Sequence, residues 1–335
     1  MMVLDDPAAK KALELALAKL EKQYGKNAVF YGDIFPENVP VISTGNLKLD
    51  LALGVGGLPR GRIIEIFGGE GLGKSLLAIS TAANCQKEGG RVAYIDAECD
   101  LDPDWCRVLG LDVDNMMISQ PESGEEALEI AETLVKTGVV DLVVVDSVAA
   151  LSPKAEIEGS MEDNHIGLQA RMMAQGLRKL RKPIAETNTC FVFLNQIRDK
   201  IGFMQQGTTS PGGKALKFAS SVRIELKRMG DIKDPKDGTS RGTEVKAIIV
   251  KNKVAKPMVS VTYNVLHGVG IDNYGSMLEL GERYGLITKR GAYYYKANDE
   301  KSFAQGQISA VEFLKENPDL TEMLISEIVR LHNDK

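Results

Sequence analysis

The chain has 335 residues, of which 44% are hydrophobic and 26% charged, with a formal net charge of −5 at pH 7. That length accommodates one large α/β domain with smaller appendages. No run approaches the roughly 20 consecutive apolar residues of a membrane span, and the polar, acidic start is unlike a secretory signal, so a cytoplasmic protein with no membrane partner is expected.

Four cysteines (Cys85, Cys99, Cys106, Cys190) form no C-x-x-C pair and read as reduced thiols. The negative charge leaves room for a local basic groove. The first predicted element is a helix over about Pro7 to Tyr24, carrying Leu13, Leu15, Leu17 and Leu20 and stopped by Gly25. With the short run Ala28-Val29-Phe30-Tyr31 it makes a helix–strand arm, residues 1–36. The arm is too small to bury its own apolar face and is expected to dock on its own protomer or a neighbour.

From Ile42 to about Gly268 apolar runs alternate with helical segments, the pattern of an α/β core (residues 37–272) with a central, mostly parallel sheet. Strands are predicted at 62–67, 91–96, 116–120, 141–146 and 189–196. Three more, at 217–228, 243–252 and 259–267, are separated only by turns and predict an antiparallel extension, with 231–242 as a hairpin tip. After Gly275 the texture changes to short helices, a Tyr293-Tyr294-Tyr295 hairpin and a closing helix near 319–332, so residues 273–335 are read as a small α+β domain.

Directly after the first of these strands stands Gly68-Gly69-Glu70-Gly71-Leu72-Gly73-Lys74-Ser75, a complete G-x-x-x-x-G-K-[ST] phosphate loop. Its glycines let successive N–H groups face triphosphate oxygens, and the following helix aims its positive dipole end at the same anion. Lys74 is placed to reach the β- and γ-phosphates and Ser75 to ligate Mg²⁺. ATP with Mg²⁺ is the expected ligand pair. Further strand tips carry the remaining candidates. Asp146 follows four hydrophobic residues and offers a second Mg²⁺ contact. Glu98, in Asp96-Ala97-Glu98, is positioned either as the base that deprotonates an attacking water or as a solvated loop carboxylate. Asn195-Gln196 offers a neutral amide able to sense a γ-phosphate, or simply a polar strand end.

In this order the pieces resemble the RecA recombinase family. The resemblance runs essentially end to end, through Ile42-Ser43-Thr44-Gly45, Leu53-Gly54-Val55-Gly56-Gly57-Leu58-Pro59, Ala149 to Gly159, Asn195-Gln196-Ile197-Arg198, Gly212 to Phe218 and Val250-Lys251-Asn252-Lys253. It implies a RecA-like P-loop NTPase core and a DNA-dependent ATPase that forms helical filaments on single-stranded DNA and pairs it with homologous double-stranded DNA in recombination and repair. Glu98 then matches the hydrolytic base and Gln196 the switch between nucleotide and DNA. Trp105 matches an adenine-stacking aromatic, Asp102 an adenine contact, and Lys251 and Lys253 the lysines that reach the ATP of a neighbouring protomer.

The resemblance also places two DNA-binding segments, 158–167 and 198–213. The second combines Arg198, Lys200, Ile201, Gly212 and Gly213 with Lys214 just beyond. Cations and backbone N–H groups there can meet phosphates, and the near absence of aromatics argues against a continuous stacking platform. Ile166 and Ile201 are wedge candidates between bases. Arg171 and Arg178 lie on the next helix, where a solvated face is the alternative use. Lys289, Arg290, Lys296 and Lys301 form a cationic cluster that resembles the family's gateway for duplex DNA, with a generic basic surface as the alternative use. Single-strand-binding and loader proteins are further expected partners.

Several positions depart from the family pattern Gly-Pro-Glu-Ser-Ser-Gly-Lys-Thr. Gly69 replaces Pro, Gly71-Leu72 replaces Ser-Ser and Ser75 replaces Thr, which puts an apolar side chain near the phosphates and predicts an altered hydrolysis rate. The second DNA segment is one residue shorter than usual, with Met204-Gln205-Gln206-Gly207 in place of the usual aromatic and acidic residues. Gln307 replaces a gateway lysine and His267 a tyrosine near the nucleotide. The sequence ends at Lys335 without an acidic tail, so easier capture of duplex DNA is expected. The alternative reading is a hexameric helicase of the same core fold, which needs neither the arm nor this C-terminal domain.

Overall fold

The computed structural model describes residues 7–25, 29, 39–159, 167–196, 198–199, 208–209, 211–234, 237–297 and 299–334, with the side chains of 198–199 and 208–209 undescribed. Ile166, Lys200 and Ile201 therefore lie outside the described residues, as do most of the first DNA segment, the middle of the second and most of the 28–31 run. The chain divides into two compact units, Met1–Val39 and Pro40–Lys335. In the first, the expected helix is present as Pro7–Tyr24, and none of its residues is buried.

The second unit is built on a nine-stranded sheet. Across it the strands run Gly270–Ile271, Val259–Leu266, Ser240–Asn252, Val222–Lys233, Ile63–Gly68, Cys190–Gln196, Leu142–Asp146, Val92–Asp96 and Met117–Ser119. From Val222–Lys233 to Met117–Ser119 every pairing is parallel; the three pairings at the other end are antiparallel. The central strands are apolar on both faces because each face is covered. One cluster packs Ile64, Ile66, Tyr94, Val144 and Val192 under the Lys74–Lys87 helix residues Leu77 and Ala82. On the opposite face Ile63, Ile95, Val145 and Phe193 meet the Gly124–Lys136 and Leu168–Thr187 helices through Leu128 and Leu177.

Two expectations need correction. Residues 217–219 are not the start of a strand but the end of a helix, Gly213–Ala219, and the strand begins at Val222. A strand would put Leu216 and Phe218 on one face, yet Leu216 is fully buried while Phe218 is 71% exposed. Gly212, with φ +77, caps the helix start, and a Cβ on it would lie 2.9 Å from Val148. The hairpin tip is also shorter than 231–242, because the strands run on to Lys233 and resume at Ser240. Within the second DNA segment, Arg198–Asp199 pairs antiparallel with Thr208–Thr209, giving the segment a two-stranded base.

The C-terminal part has a three-stranded sheet, Ile287–Arg290, Tyr293–Lys296 and Ala304–Gln305, packed with the helices Asn273–Arg283, Gln307–Glu316 and Pro318–Asn333. Its core holds Leu278, Tyr294, Leu314 and Ile328, and is completed by Leu47 and Leu51 of the Leu47–Ala52 helix. Asn46 Nδ2 donates to Ser276 Oγ at 2.9 Å and Leu47 N to Asn273 Oδ1 at 2.9 Å.

Among the described residues, Tyr263 Oη is the one buried side-chain polar atom without a hydrogen-bond partner. An orphaned hydroxyl in a core carries its desolvation cost uncompensated. Tyr263→Phe is therefore expected to raise unfolding free energy by about 1 kcal/mol, read as a higher urea midpoint at unchanged m-value.

Candidate functional site

The candidate site lies along the carboxyl ends of the parallel strands, the edge at which α/β sheets hold ligands. Register sets Gly68 level with Gln196 on one side and Leu226 on the other, and Asp96 level with Asp146. Gly68 is held to glycine by close packing, since a Cβ there would lie 2.6 Å from the Leu226 carbonyl oxygen. Gly71 and Gly73 take φ values of +66 and +75, and Gly73 opens the Lys74–Lys87 helix. Leu72 corrects the expectation of an apolar side chain among the phosphates. It is 7% exposed and packs into the cluster of Ile66 and Leu77, so its side chain anchors the loop.

Lys74 Nζ donates to Gly69 O at 2.7 Å. Burial lowers its pKa, against the carboxylates of Asp146, Glu98 and Glu70, which raise it. Asp146 accepts from Tyr94 Oη at 2.7 Å and from Ser75. Burial raises the Asp146 pKa; the Tyr94 and Ser75 hydrogen bonds oppose that, while Glu98 and Asp96 reinforce it. Ser75 and Asp146 thus meet, as the sequence reading requires of a shared metal contact. Their donors are all oxygen, which suits Mg²⁺. Among the described residues no group of three or more His, Cys, Asp or Glu could hold a metal ion, so a cation here would need phosphate oxygens to complete its shell.

Glu98 is drawn into the same group. The N–H groups of Ala97 and Glu98 donate to the Asp146 carbonyl at 2.7 and 3.3 Å. Glu98 Oε1 accepts from Ser147 Oγ and, at 3.4 Å, from Gln196 Nε2. Glu98 is itself exposed, and its contacts with Ser147 and Gln196 are compatible with both readings of it. Asn195 and Gln196, read together in the sequence, separate here: Gln196 faces Glu98, while Asn195 is fully buried and donates to Glu65 Oε1 and Pro211 O.

Tyr94 and Asp96 escaped the sequence reading. Asp96 accepts from Asp100 N at 3.2 Å, Leu101 N at 3.3 Å and Gln120 Nε2 at 2.9 Å, which fixes the loop bearing Glu98. Tyr94 shares parity with Asp96 at the strand's end, and that was the available signal, since alternate positions line one face.

Asp102 caps the Pro103–Val108 helix, accepting from Asp104 N and Trp105 N, and Trp105 is half-buried on that helix. Leu109, one turn on, packs close to Gly270 and, with Gly270, near Leu76 of the phosphate-loop helix. Lys251 sits level with Arg223 rather than beside its own phosphate loop. Its Nζ donates to Lys217 O at 2.7 Å and Phe218 O at 3.3 Å, and burial lowers its pKa, followed by the charges of Lys253, Arg223 and Arg181. Lys253 is exposed.

On the DNA side Arg171 and Arg178 are exposed on the Leu168–Thr187 helix and Lys214 on the Gly213–Ala219 helix. Gly212 and Gly213 pack against Val148 and Ala170, so their small size serves helix docking as well as any backbone approach to phosphate. Gly212 N donates to Gln169 Oε1 at 3.2 Å. In the C-terminal hairpin Lys289 lies over the Tyr294 ring at 5.3 Å, Arg290 over Tyr295 at 4.9 Å and Lys296 over Phe313 at 6.0 Å. Lys301 is exposed in the turn that precedes the third strand.

Compared with protein families, residues 11–272 match the RecA N-terminal domain and residues 275–333 the RecA C-terminal domain. The chain is 49% identical over 320 residues to the Protein RecA of Rubrobacter xylanophilus, covering 95% of this chain and 92% of that one. It is 48% identical over 321 residues to the Protein RecA of Streptomyces venezuelae (95% and 84% covered). To that of Saccharopolyspora erythraea it is 47% identical over 324 residues (96% and 92%).

Proposed function

This chain belongs to the RecA family, and from that premise we propose how its own residues divide the work. It is a DNA-dependent ATPase of homologous recombination and repair that binds ATP and DNA and forms filaments; the helicase reading is not favoured. No helix among the described residues is long and apolar enough to cross a membrane, and we place the protein in the cytoplasm.

The observation that carries the residue assignment is the bonded group Ser75–Asp146–Ser147–Glu98–Gln196 at the mouth of the phosphate loop. The loop 68–75 cradles the triphosphate, with Lys74 on the β- and γ-phosphates. Ser75 and Asp146 would hold Mg²⁺, which would supply positive charge to offset the phosphate oxygens. Glu98 orients the attacking water and takes its proton. Trp105 and Asp102 receive the adenine. Gln196, bonded to Glu98, exchanges that partner for a γ-phosphate oxygen and so relays nucleotide state to the strand's continuation at Arg198. Lys251 and Lys253 serve a neighbouring protomer's ATP, which couples turnover to assembly.

Arg198, Lys200, Ile201, Gly212, Gly213 and Lys214, with Ile166, Arg171 and Arg178, form the surface for single-stranded DNA. Binding is sequence-independent because phosphate contacts carry no base code. The arm 1–36 joins protomers, the core 37–272 holds both ligands, and the domain 273–335 receives duplex DNA. Single-strand-binding and loader proteins are the accessory partners we would test for.

Homology-dependent D-loop formation, with electron microscopy on single-stranded DNA and ATP, tests the reading; closed rings without joint molecules would overturn it. The gateway makes a separate prediction. Lys289→Glu with Arg290→Glu is expected to weaken duplex binding and to reduce the slope of log affinity against log salt by about 2, while ATP turnover on single strands is unchanged. An unaltered salt slope in duplex titrations would remove these residues from the gateway.

A further inference from the structure

Glu65 lies in the middle of the phosphate-loop strand, a fully buried carboxylate that the assigned chemistry does not use. Its register neighbours are Phe193 on one side and Arg223 on the other. Both carboxylate oxygens are engaged. Oε2 accepts from Arg223 Nε at 2.5 Å, and that guanidinium also lies 4.4 Å from the Phe67 ring centroid. Oε1 accepts from Asn195 Nδ2 at 3.0 Å. The same amide nitrogen donates to Pro211 O at 3.2 Å, and Asn195 Oδ1 accepts from Gln196 N at 3.0 Å.

Asn195 is thereby used on every side, as buried amides are expected to be. A primary amide has two N–H donors on one nitrogen. One is spent on Glu65, and the other falls on the residue where the second DNA segment rejoins the fold. Its oxygen holds the backbone of Gln196, which sits beside Gly68 and touches Glu98. A buried acceptor on the phosphate-loop strand thus helps orient the amide that links Gln196, just before the DNA segment, to Pro211, near the segment's end. Without that acceptor one buried N–H of the amide is left unpaired, and only the bonds to Pro211 and Gln196 remain to orient it.

We propose that Glu65 is a positioning residue for DNA-stimulated ATP hydrolysis: by holding Asn195 it locks the return of the second DNA segment at Pro211 to the strand that ends in Gln196. The proposal rests on the recombinase reading above. What matters in it is the acceptor at position 65, not the ion pair with Arg223, and two double variants separate these.

Glu65→Met with Arg223→Met removes both the charge pair and the acceptor. Glu65→Gln with Arg223→Gln removes the charges and keeps an acceptor for Asn195. Replacing both members of a buried pair leaves no unpaired charge and is commonly tolerated. The readout is the ratio of ATP turnover with single-stranded DNA to turnover without it, beside the dissociation constant of a fluorescent ATP analogue. For the Met pair the ratio is expected to fall roughly tenfold or more, with nucleotide affinity within about threefold of the parent. For the Gln pair the ratio is expected to stay within about threefold. Asn195→Leu is expected to behave as the Met pair does, and it carries the test if the Met pair does not fold.

A ratio that is lost in both pairs, or kept in both, would overturn the role of the acceptor. A parent protein whose turnover is not stimulated by single-stranded DNA would overturn the recombinase reading itself.

Discussion

Glu98→Gln is expected to reduce DNA-stimulated ATP turnover by roughly a hundred- to ten-thousandfold, the contribution of a positioned general base. Glutamine keeps the shape of the side chain and an oxygen able to accept from Ser147 and Gln196. The loop geometry should survive, because Asp96 holds it through Asp100, Leu101 and Gln120, and the Asp146 carbonyl through Ala97 and Glu98 N–H. Only proton acceptance is removed. ATP binding and filament formation are therefore expected to persist, with filaments living longer if hydrolysis is what releases protomers. Single-turnover kinetics with electron microscopy reads both quantities. Ordinary turnover in this variant would show that another group takes the proton.

Lys74→Ala acts earlier. Lys74 is nearly buried beneath the loop and stands in the field of Asp146, Glu98 and Glu70. Removing its charge leaves those carboxylates facing a polyanion with less positive charge to offset them. Loss of a single preorganised donor to a reacting oxyanion costs about 10² to 10³ in rate, and here binding is weakened as well. The expected outcome is no detectable turnover and no D-loops, with nucleotide affinity reduced in equilibrium titration. D-loop activity retained in this variant would refute the role given to ATP.

Much of this site is legible in the sequence because a parallel sheet concentrates chemistry at its carboxyl edge. The phosphate loop, Asp146 and Glu98 each end an apolar run, so the topology that lines up the runs also gathers their tips. What escapes is whatever depends on side-chain direction. Leu72 looks like an intruder among phosphates until the structure shows it turned into the core. Asn195 and Gln196 are adjacent amides of similar chemistry, yet consecutive strand residues point to opposite faces, so one is a buried strut and the other faces Glu98. The helix Gly213–Ala219 is lost in a run that alternates plausibly as a strand, and only the left-handed Gly212 marks its start. Tyr94 is invisible as a site residue because an aromatic within an apolar strand reads as core.

The leucines Leu47 and Leu51 bear on how motion reaches duplex DNA. Because they complete the core of the C-terminal domain, and Asn46 and Asn273 bond across the same seam, that domain is bolted to the segment preceding the phosphate-loop strand and does not swing on a tether. A small rotation of the ATPase sheet would be delivered without slack to the cationic hairpin bearing Lys289 and Arg290. The domain would then move with that segment as one body. A C-terminal fragment cut free at residue 273 would lack two of its core leucines and should not be taken as an autonomous folding unit.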